Sequence, residues 1–201
     1  MRDTGPKTRK ARRIGEVLRD KDAKYLTKRN YPPGMHGQSR RRISEYGQQL
    51  LEKQKARWIY GITEKQFRRY VEKAARKKGV TGNLLLEFLE LRLDNIVYRL
   101  GFAGSRSQAR QLVNHRFFEV NGKGVNIPSF QVAVGDVVAI SPKKQTSKYI
   151  ERLLPQLLQT KPLEWLSLDA KNFGGKVLAR PTFDNTSSTL RTQLIIEHYS
   201  R

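Results

Sequence analysis

Apolar residues fall at helical spacing twice in succession between Leu93 and Val113. Leu93, Ile96, Val97 and Leu100 stand at i, i+3, i+4 and i+7, the buried face of a first short helix. Asp94 lies at its start, where a carboxylate favours the positive end of the helix dipole. Gly101 follows the last apolar residue, the usual place for a left-handed cap. Ser105 with Gln108 three residues on makes a capping-box pattern, and Ala109, Leu112 and Val113 repeat the apolar face. The period then drops to two. Phe118 and Val120 flank Glu119, and Asn121-Gly122 is the signal for a tight hairpin, because both residues tolerate positive φ. Val125 and Ile127 resume the alternation, which Pro128 ends. Val132 and Val134 lead to a turn at Gly135-Asp136, and Val137 to Ile140 form a last apolar strand. The pattern predicts two helices packed on a small antiparallel sheet over residues 89–141.

Helical spacing dominates what precedes this stretch. Ser44 can cap a helix whose apolar stripe includes Tyr46, Leu50, Leu51, Trp58 and Ile59, and Gly61 closes it. Thr63 and Gln66 form a second capping-box pattern. Phe67, Tyr70, Val71, Ala74 and Ala75 follow at strongly amphipathic spacing, and Gly79 ends that helix. Gly82-Asn83 opens another, with Leu85, Phe88 and Leu89 facing a core. Further on, Lys148 to Leu158 reads as a helix burying Ile150, Leu153, Leu154 and Leu157, which Pro155 should kink or end early. Leu163 to Leu168 read as a strand, Gly174-Gly175 as a turn, and Lys176 to Ala179 as another strand. A last helix is expected to start at Ser187 or Ser188 and to use Leu190, Leu194 and Ile195. Trp58 and Trp165 read as core or domain-junction residues. The first 42 residues show almost no apolar period and contain Tyr31-Pro32-Pro33-Gly34, so they cannot bury enough surface to order alone. The fold class expected is α+β, in three parts: an extended basic N-terminal arm (1–42), an all-helical domain (43–88, completed by the C-terminal helix 186–201), and an inserted domain (89–185, core 89–141).

Charge changes this picture. The 201 residues hold 40 Lys+Arg against 18 Asp+Glu, a formal net charge of +22. Such an excess favours a polyanionic partner, with nucleic acid the first candidate and an anionic membrane surface the second. No apolar run approaches a membrane span. The N-terminus, MRDTGPKTRKARR, lacks the apolar stretch of a signal peptide, and Asp3, Glu16, Asp20 and Asp22 argue against a transit peptide. With no cysteine there is no disulfide and no thiolate metal site, which fits a cytosol-like compartment. Residues 1–42 alone carry 14 Lys+Arg against 4 acids, so the arm is expected to order on a nucleic acid, with Tyr25 and Tyr31 interleaved among its cations.

Candidate contacts follow from spacing. Arg106 and Arg110 are one turn apart and share a side that Asn114 continues, with His115 at the helix end. Arg92, Arg99 and Arg116 add to this cationic face, opposite the apolar one. Ser105 is first a cap, and the anion preference of helix N-termini gives it, with Gln108 beside it, a second role toward phosphate. Arg9, Lys10, Arg12, Arg13, Arg40, Arg41 and Arg42 supply the arm, and Lys53, Lys55, Arg57, Arg68 and Arg69 the helical domain. Phosphate contacts from such groups give affinity and salt sensitivity but little sequence information, so recognition rests on RNA shape. A solvated helix face is the plain alternative for each of them. Enzymatic readings fare badly. His36, His115 and His198 have no ligand spacing. There is no GxSxG and no P-loop, and Gly122-Lys123-Gly124 belongs to a hairpin rather than a phosphate cradle. Asp94 reads as a cap or an ion-pair partner. Neither a metal nor a cofactor is expected.

Arg92, Asp94, Arg99, Leu100, Gly101, Ser105, Arg106, Ala109, Arg110, Val120, Asn121 and Gly122 together resemble the S-four RNA-binding domain, a pattern shared with several translation-linked families. Outside it stand YPPGMHG (residues 31–37), EKQKARWIYGITEKQF (52–67), KKGVTGNLLLEFLELRLDN (77–95) and the terminal IIEHYSR (195–201). With these the chain resembles the bacterial-type S-four family of small-subunit ribosomal proteins. The resemblance implies a helical domain that the last helix rejoins, with the RNA-binding domain inserted. It also implies a structural protein that binds small-subunit rRNA first and nucleates assembly, with the S-five and S-three proteins as neighbours. Arg40-Arg41-Arg42 would lie beside the path of incoming mRNA, with a part in translational accuracy. The location implied is the ribosome of a bacterial cytoplasm, or else of an organelle. Two departures stand out. Many bacterial members carry a cysteine cluster for zinc in the arm and this chain has none, so no metal is carried over. His115 is followed by Arg116, where many members place glycine. Arg92-Leu93-Asp94 is similar to the motif around the catalytic aspartate of some pseudouridine synthases, but their separate catalytic domain has no room here. Two rivals remain from the sequence: an RNA-modifying enzyme or its accessory module, and a free RNA-binding regulator of its own message.

Overall fold

The computed structural model describes residues 5–39, 42–182 and 189–200. Contacts sort the chain into two units, residues 1–82 with 189–201 and residues 83–188. The division falls after Gly82, ahead of the boundary at Leu89 read from the sequence.

The first unit begins with α1 (Lys7–Ile14) and α2 (Asp20–Lys28), followed by α3 (Glu45–Tyr60) and α4 (Glu64–Arg76). The first two helices correct the expectation of an extended arm. Ala11 of α1 is fully buried, and so is Asp22, whose carboxylate accepts from Thr8 Oγ1 at 2.7 Å and pairs with Arg19 at 3.4 Å. Lys55 of α3 reaches Glu16 at 2.6 Å. Polar pairs hold these helices in place of an apolar stripe, which is why hydrophobic period does not report them. Ser44 caps α3 as expected, accepting from Gly47 N at 3.2 Å. Thr63, by contrast, makes no side-chain cap bond, and the first turn of α4 instead carries the carboxylate of Glu64.

Helix α5 (Thr81–Glu90) leads into the second unit. There α6 (Leu93–Arg99) and α7 (Arg106–Asn114) precede β1 (Phe118–Val120), β2 (Lys123–Val125) and β3 (Val137–Ile140). Next come a single turn α8 (Pro142–Gln145), then α9 (Lys148–Gln159), β4 (Leu166–Asp169) and β5 (Gly174–Val177). The sheet runs β2-β1-β3-β5-β4 with every neighbour antiparallel. Phe118 pairs with Ile140 and Val120 with Val138, so the apolar residues of β1 and β3 share a face. They bury against Leu93, Ile96 and Val97 of α6, Leu100 at its C-terminal cap, and Ala109 and Val113 of α7, residues picked out by spacing. Asn121 and Gly122 take φ of 50° and 76°, as the tight hairpin requires.

Three expectations in this unit are corrected. Pro155 lies inside α9 without ending it, because Ile150, Leu153 and Leu157 on both sides of it are buried in the core. Leu154 is on the exposed side of that helix. Gly174-Gly175 is strand rather than turn: a Cβ on Gly175 would sit 2.6 Å from Leu100 Cδ2, so glycine is what lets β5 approach α6. The turn lies earlier, where Asp169 accepts from Lys171 N and Asn172 N at 3.2 Å each and Phe173 takes φ of 49°.

The last helix, α10 (Thr192–Ser200), returns to the first unit and packs on α3. It starts later than expected, and the proposed caps Ser187 and Ser188 lie outside the described residues. Glu52 accepts from Arg191 N at 2.8 Å just ahead of it, Gln49 donates to Glu197 at 3.2 Å, and Tyr199 donates to Glu64 at 2.6 Å.

Candidate nucleic-acid interface

The cationic face of α6 and α7 is built on two sequestered carboxylates. Glu90, fully buried at the end of α5, accepts from Arg99 through Nε at 3.1 Å and Nη2 at 2.9 Å, and from Asn95 Nδ2 at 2.7 Å. The other end of that amide, Asn95 Oδ1, accepts from Arg106 Nε at 2.8 Å, and the Arg106 guanidinium lies 4.5 Å from the centre of the Tyr98 ring. Asp94 forms a two-point pair with Arg92, Nε to Oδ1 at 3.0 Å and Nη2 to Oδ2 at 2.6 Å. Arg110 reaches the same carboxylate at 3.5 Å. Three guanidinium groups thus pair with two carboxylates and the fourth, Arg106, is held through the Asn95 amide, so the surplus positive charge is fixed in place by hydrogen bonds and ring stacking. Fixing it beforehand lowers the entropy lost when a phosphate array docks.

Burial divides the set. The Arg92 side chain has no exposure, so it leaves the list of direct contacts and acts by holding Asp94. Arg99 is mostly covered at 16% exposure, whereas Arg110 is 27% exposed and Arg106 half-buried. Ser105 accepts from Gln108 N at 3.3 Å as the cap of α7, while the Gln108 amide turns back to Gly104 N at 3.1 Å. Asn114, His115 and Arg116 are exposed at the end of α7. Arg116 takes φ of 55° there, with Arg116 N bonded to Val113 O at 2.9 Å and Phe117 N to Leu112 O at 3.1 Å. The same pair of bonds closes α6 around Gly101, at φ of 83°. Arg116 therefore occupies a glycine-type cap position with a long cationic side chain.

In the first unit the candidates also separate. Lys53 and Arg57 hold Glu64 at 3.2 and 2.7 Å, and Lys55 is bound to Glu16 and to Thr189 O at 2.9 Å. These three cross-brace the helices while keeping part of each side chain at the surface. Arg68 pairs with Glu72 one turn on, at 3.1 Å. Arg9, Arg13, Arg42 and Arg69 are exposed. Arg12 stacks at 4.9 Å over Tyr31 and Lys10 lies 5.9 Å over Trp58. Arg13 and His36 line a groove of about 630 Å³ with Pro32, Met35, Ile43 and Leu50. Arg40 and Arg41 lie outside the described residues. Burial alone would raise the Glu64 carboxyl, but hydrogen bonds from Tyr199 and Lys53 and the charges of Lys53 and Arg57 hold it below its ordinary value. Burial and that same carboxylate push the Tyr199 hydroxyl far above the usual tyrosine range.

Sequence reasoning missed Glu90, Asn95 and Tyr98. The signal for Glu90 was present, as an acid set in the apolar run Leu84 to Leu93. Among the described residues no three His, Asp or Glu side chains gather as metal ligands would, and no helix is long and apolar enough to cross a membrane.

Two helices on a small antiparallel sheet, with arginines held in place along one face, are the arrangement of a binding protein for structured nucleic acid. Residues 2–90 match the family model described as the ribosomal protein S4/S9 N-terminal domain, and residues 91–138 match the S4 domain. Small ribosomal subunit protein uS4 of Chloroflexus aurantiacus is 47% identical over 201 residues, covering 98% of each chain. The uS4 of Rubrobacter xylanophilus is 48% identical over 200 residues, covering 100% of this chain and 99% of its own. Protein uS4A of Symbiobacterium thermophilum is 50% identical over 206 residues, with the same coverage. The chain belongs to the uS4 family of small-ribosomal-subunit proteins, a family of structural ribosomal proteins and not of enzymes.

Proposed function

We propose that this chain is a primary binding protein for small-subunit rRNA and nucleates assembly by clamping a folded helical junction. The observation that carries the reading is the α6–α7 network, which holds Arg106 and Arg110 at the surface by groups that are themselves buried. Electrostatic capture by the +22 chain comes first, and docking of preset guanidinium groups against a matching array of phosphates and 2′-hydroxyls follows. Its location is then the ribosome in a bacterial cytoplasm. By family resemblance its neighbours include the S-five and S-three proteins. Arg40, Arg41 and Arg42 border the path of incoming mRNA and contribute to accuracy, a role supported by the density of cations in that segment and the exposure of Arg42.

Titration of the full chain against purified small-subunit rRNA over a salt series tests this. The logarithm of affinity should fall linearly and steeply with the logarithm of salt concentration, unrelated structured RNA should compete poorly, and the protein should co-sediment stoichiometrically with small subunits. A shallow slope, or recovery of the protein only in the free fraction, would overturn the reading. Charge reversal across Arg40–Arg42 should slow passage through structured mRNA in subunits that still assemble; unchanged passage would remove that role.

A further inference from the structure

A groove of about 360 Å³ opens beside the arginine face, between the end of α7 and the start of α9. That size is within the range of small-molecule sites, roughly 300–1,000 Å³. Its floor is apolar and aromatic, formed by Leu112, Phe117 and Tyr149, and its rim carries Gln111, His115 and Lys144. We propose that this groove receives one unstacked nucleobase of the bound RNA, stacked on Phe117, with Lys144 taking the adjoining phosphate.

The parts are fixed by geometry that α7 imposes. The left-handed turn at Arg116 and the bond from Phe117 N to Leu112 O bring the Phe117 ring back over the last turn of α7. The ring is held edge-on by Tyr149, with centroids 5.9 Å apart at 89°, and by Phe118 at 6.0 Å. Tyr149 is tied down in turn, donating to Phe102 O at 2.8 Å and accepting from Gln108 Nε2 at 3.2 Å. The Lys144 ammonium lies 6.0 Å from the centre of the Phe117 ring, so a planar group entering there meets a ring and a cation together. Gln111 and His115 are exposed and can both donate and accept, which suits the edge of a base. Charge selects the occupant: Lys144 in the groove and Arg116, beside Phe117 in the sequence, favour a polyanion, and among the described residues no carboxylate lines the groove. Splaying a base onto an aromatic ring is a general mode of RNA recognition. Arg116 itself keeps a backbone conformation that a side chain resists, a kind of strain that gathers at binding sites.

The proposal rests on the rRNA-binding reading and deepens it, and salt dependence tells the two apart. Stacking is not a counterion-release contact, whereas a phosphate contact is. The experiment uses the full chain and purified small-subunit rRNA over a salt series, with zero-length ultraviolet cross-linking of the wild-type complex. We expect a peptide–nucleotide adduct at Phe117 or His115. Phe117→Leu should bind about tenfold more weakly with an unchanged salt slope, Phe117→Tyr should restore affinity, and Lys144→Gln should lower the slope by about one unit. Thermal unfolding of each variant checks the fold, and the wild-type cross-link needs no variant. If the wild type binds steeply but gives no adduct in the groove, the base site is wrong while the rRNA reading stands. The same holds if folded Phe117→Leu binds within twofold of wild type, or if its defect is confined to a neighbouring ribosomal protein. If the wild type fails to bind rRNA, both fall together.

Discussion

Arg92 and Arg110 share the carboxylate of Asp94 yet have different work, because one side chain is fully covered and the other is 27% exposed. Removing the covered partner strips the buried Asp94 carboxylate of its two-point pair and leaves it only the 3.5 Å contact from Arg110, a loss approaching about 3–5 kcal/mol. Arg92→Ala should therefore lower the denaturant midpoint sharply, while the salt slope of rRNA binding by the protein that remains folded stays put. A stable Arg92→Ala with a flattened slope would return this residue to the RNA surface. Arg116 makes a different case. Its φ of 55° suits glycine, and a side chain there costs about 1 kcal/mol. Arg116→Gly should raise the unfolding free energy by about that amount, seen as a higher denaturant midpoint, while its loss of a cation weakens RNA binding at low salt. A lower midpoint would contradict the left-handed cap.

Helices α3, α4 and α10 meet around Glu64, which binds Lys53, Arg57 and Tyr199. Since these partners lower the Glu64 pKa in the folded chain, the stability they contribute is present above the ordinary value of 4.5 and is lost as pH falls from there through the depressed folded value. Glu64→Gln should lower the melting temperature near neutral pH and flatten its decline in acid; an acid limb identical to that of the wild type would show that Glu64 is not the group lost. What spacing could read at this scale was the helices with an apolar face. Leu93 to Leu100 and Ala109 to Val113 were legible because each buries a stripe on one sheet. Helices α1 and α2 were not, since Asp22 and Glu16 hold them by polar pairs whose partners are remote in sequence. Gly175 misled for a related reason: nothing local distinguishes a glycine of a turn from a strand glycine that admits a remote side chain, here Leu100.

Across the chain, a net charge of +22 announces a polyanionic partner but cannot say which cations meet it. Lys53, Lys55, Arg57 and Arg92 were all plausible contacts from composition; folding pairs the first three with Glu64 and Glu16 and covers Arg92 completely against Asp94. Arg106 and Arg110 were legible as a pair from their spacing. The buried Glu90 and the bridging Asn95 that position Arg106 needed three dimensions to be seen. The central claim is that this pair, preset on α6 and α7, carries phosphate contacts to small-subunit rRNA. The measurement that bears on it most directly is the salt dependence of rRNA binding by the double variant Arg106→Ala, Arg110→Ala, set beside the wild type. The account predicts a slope flatter by about two units, one for each lost contact, in a protein that still folds. A slope equal to that of the wild type would contradict it.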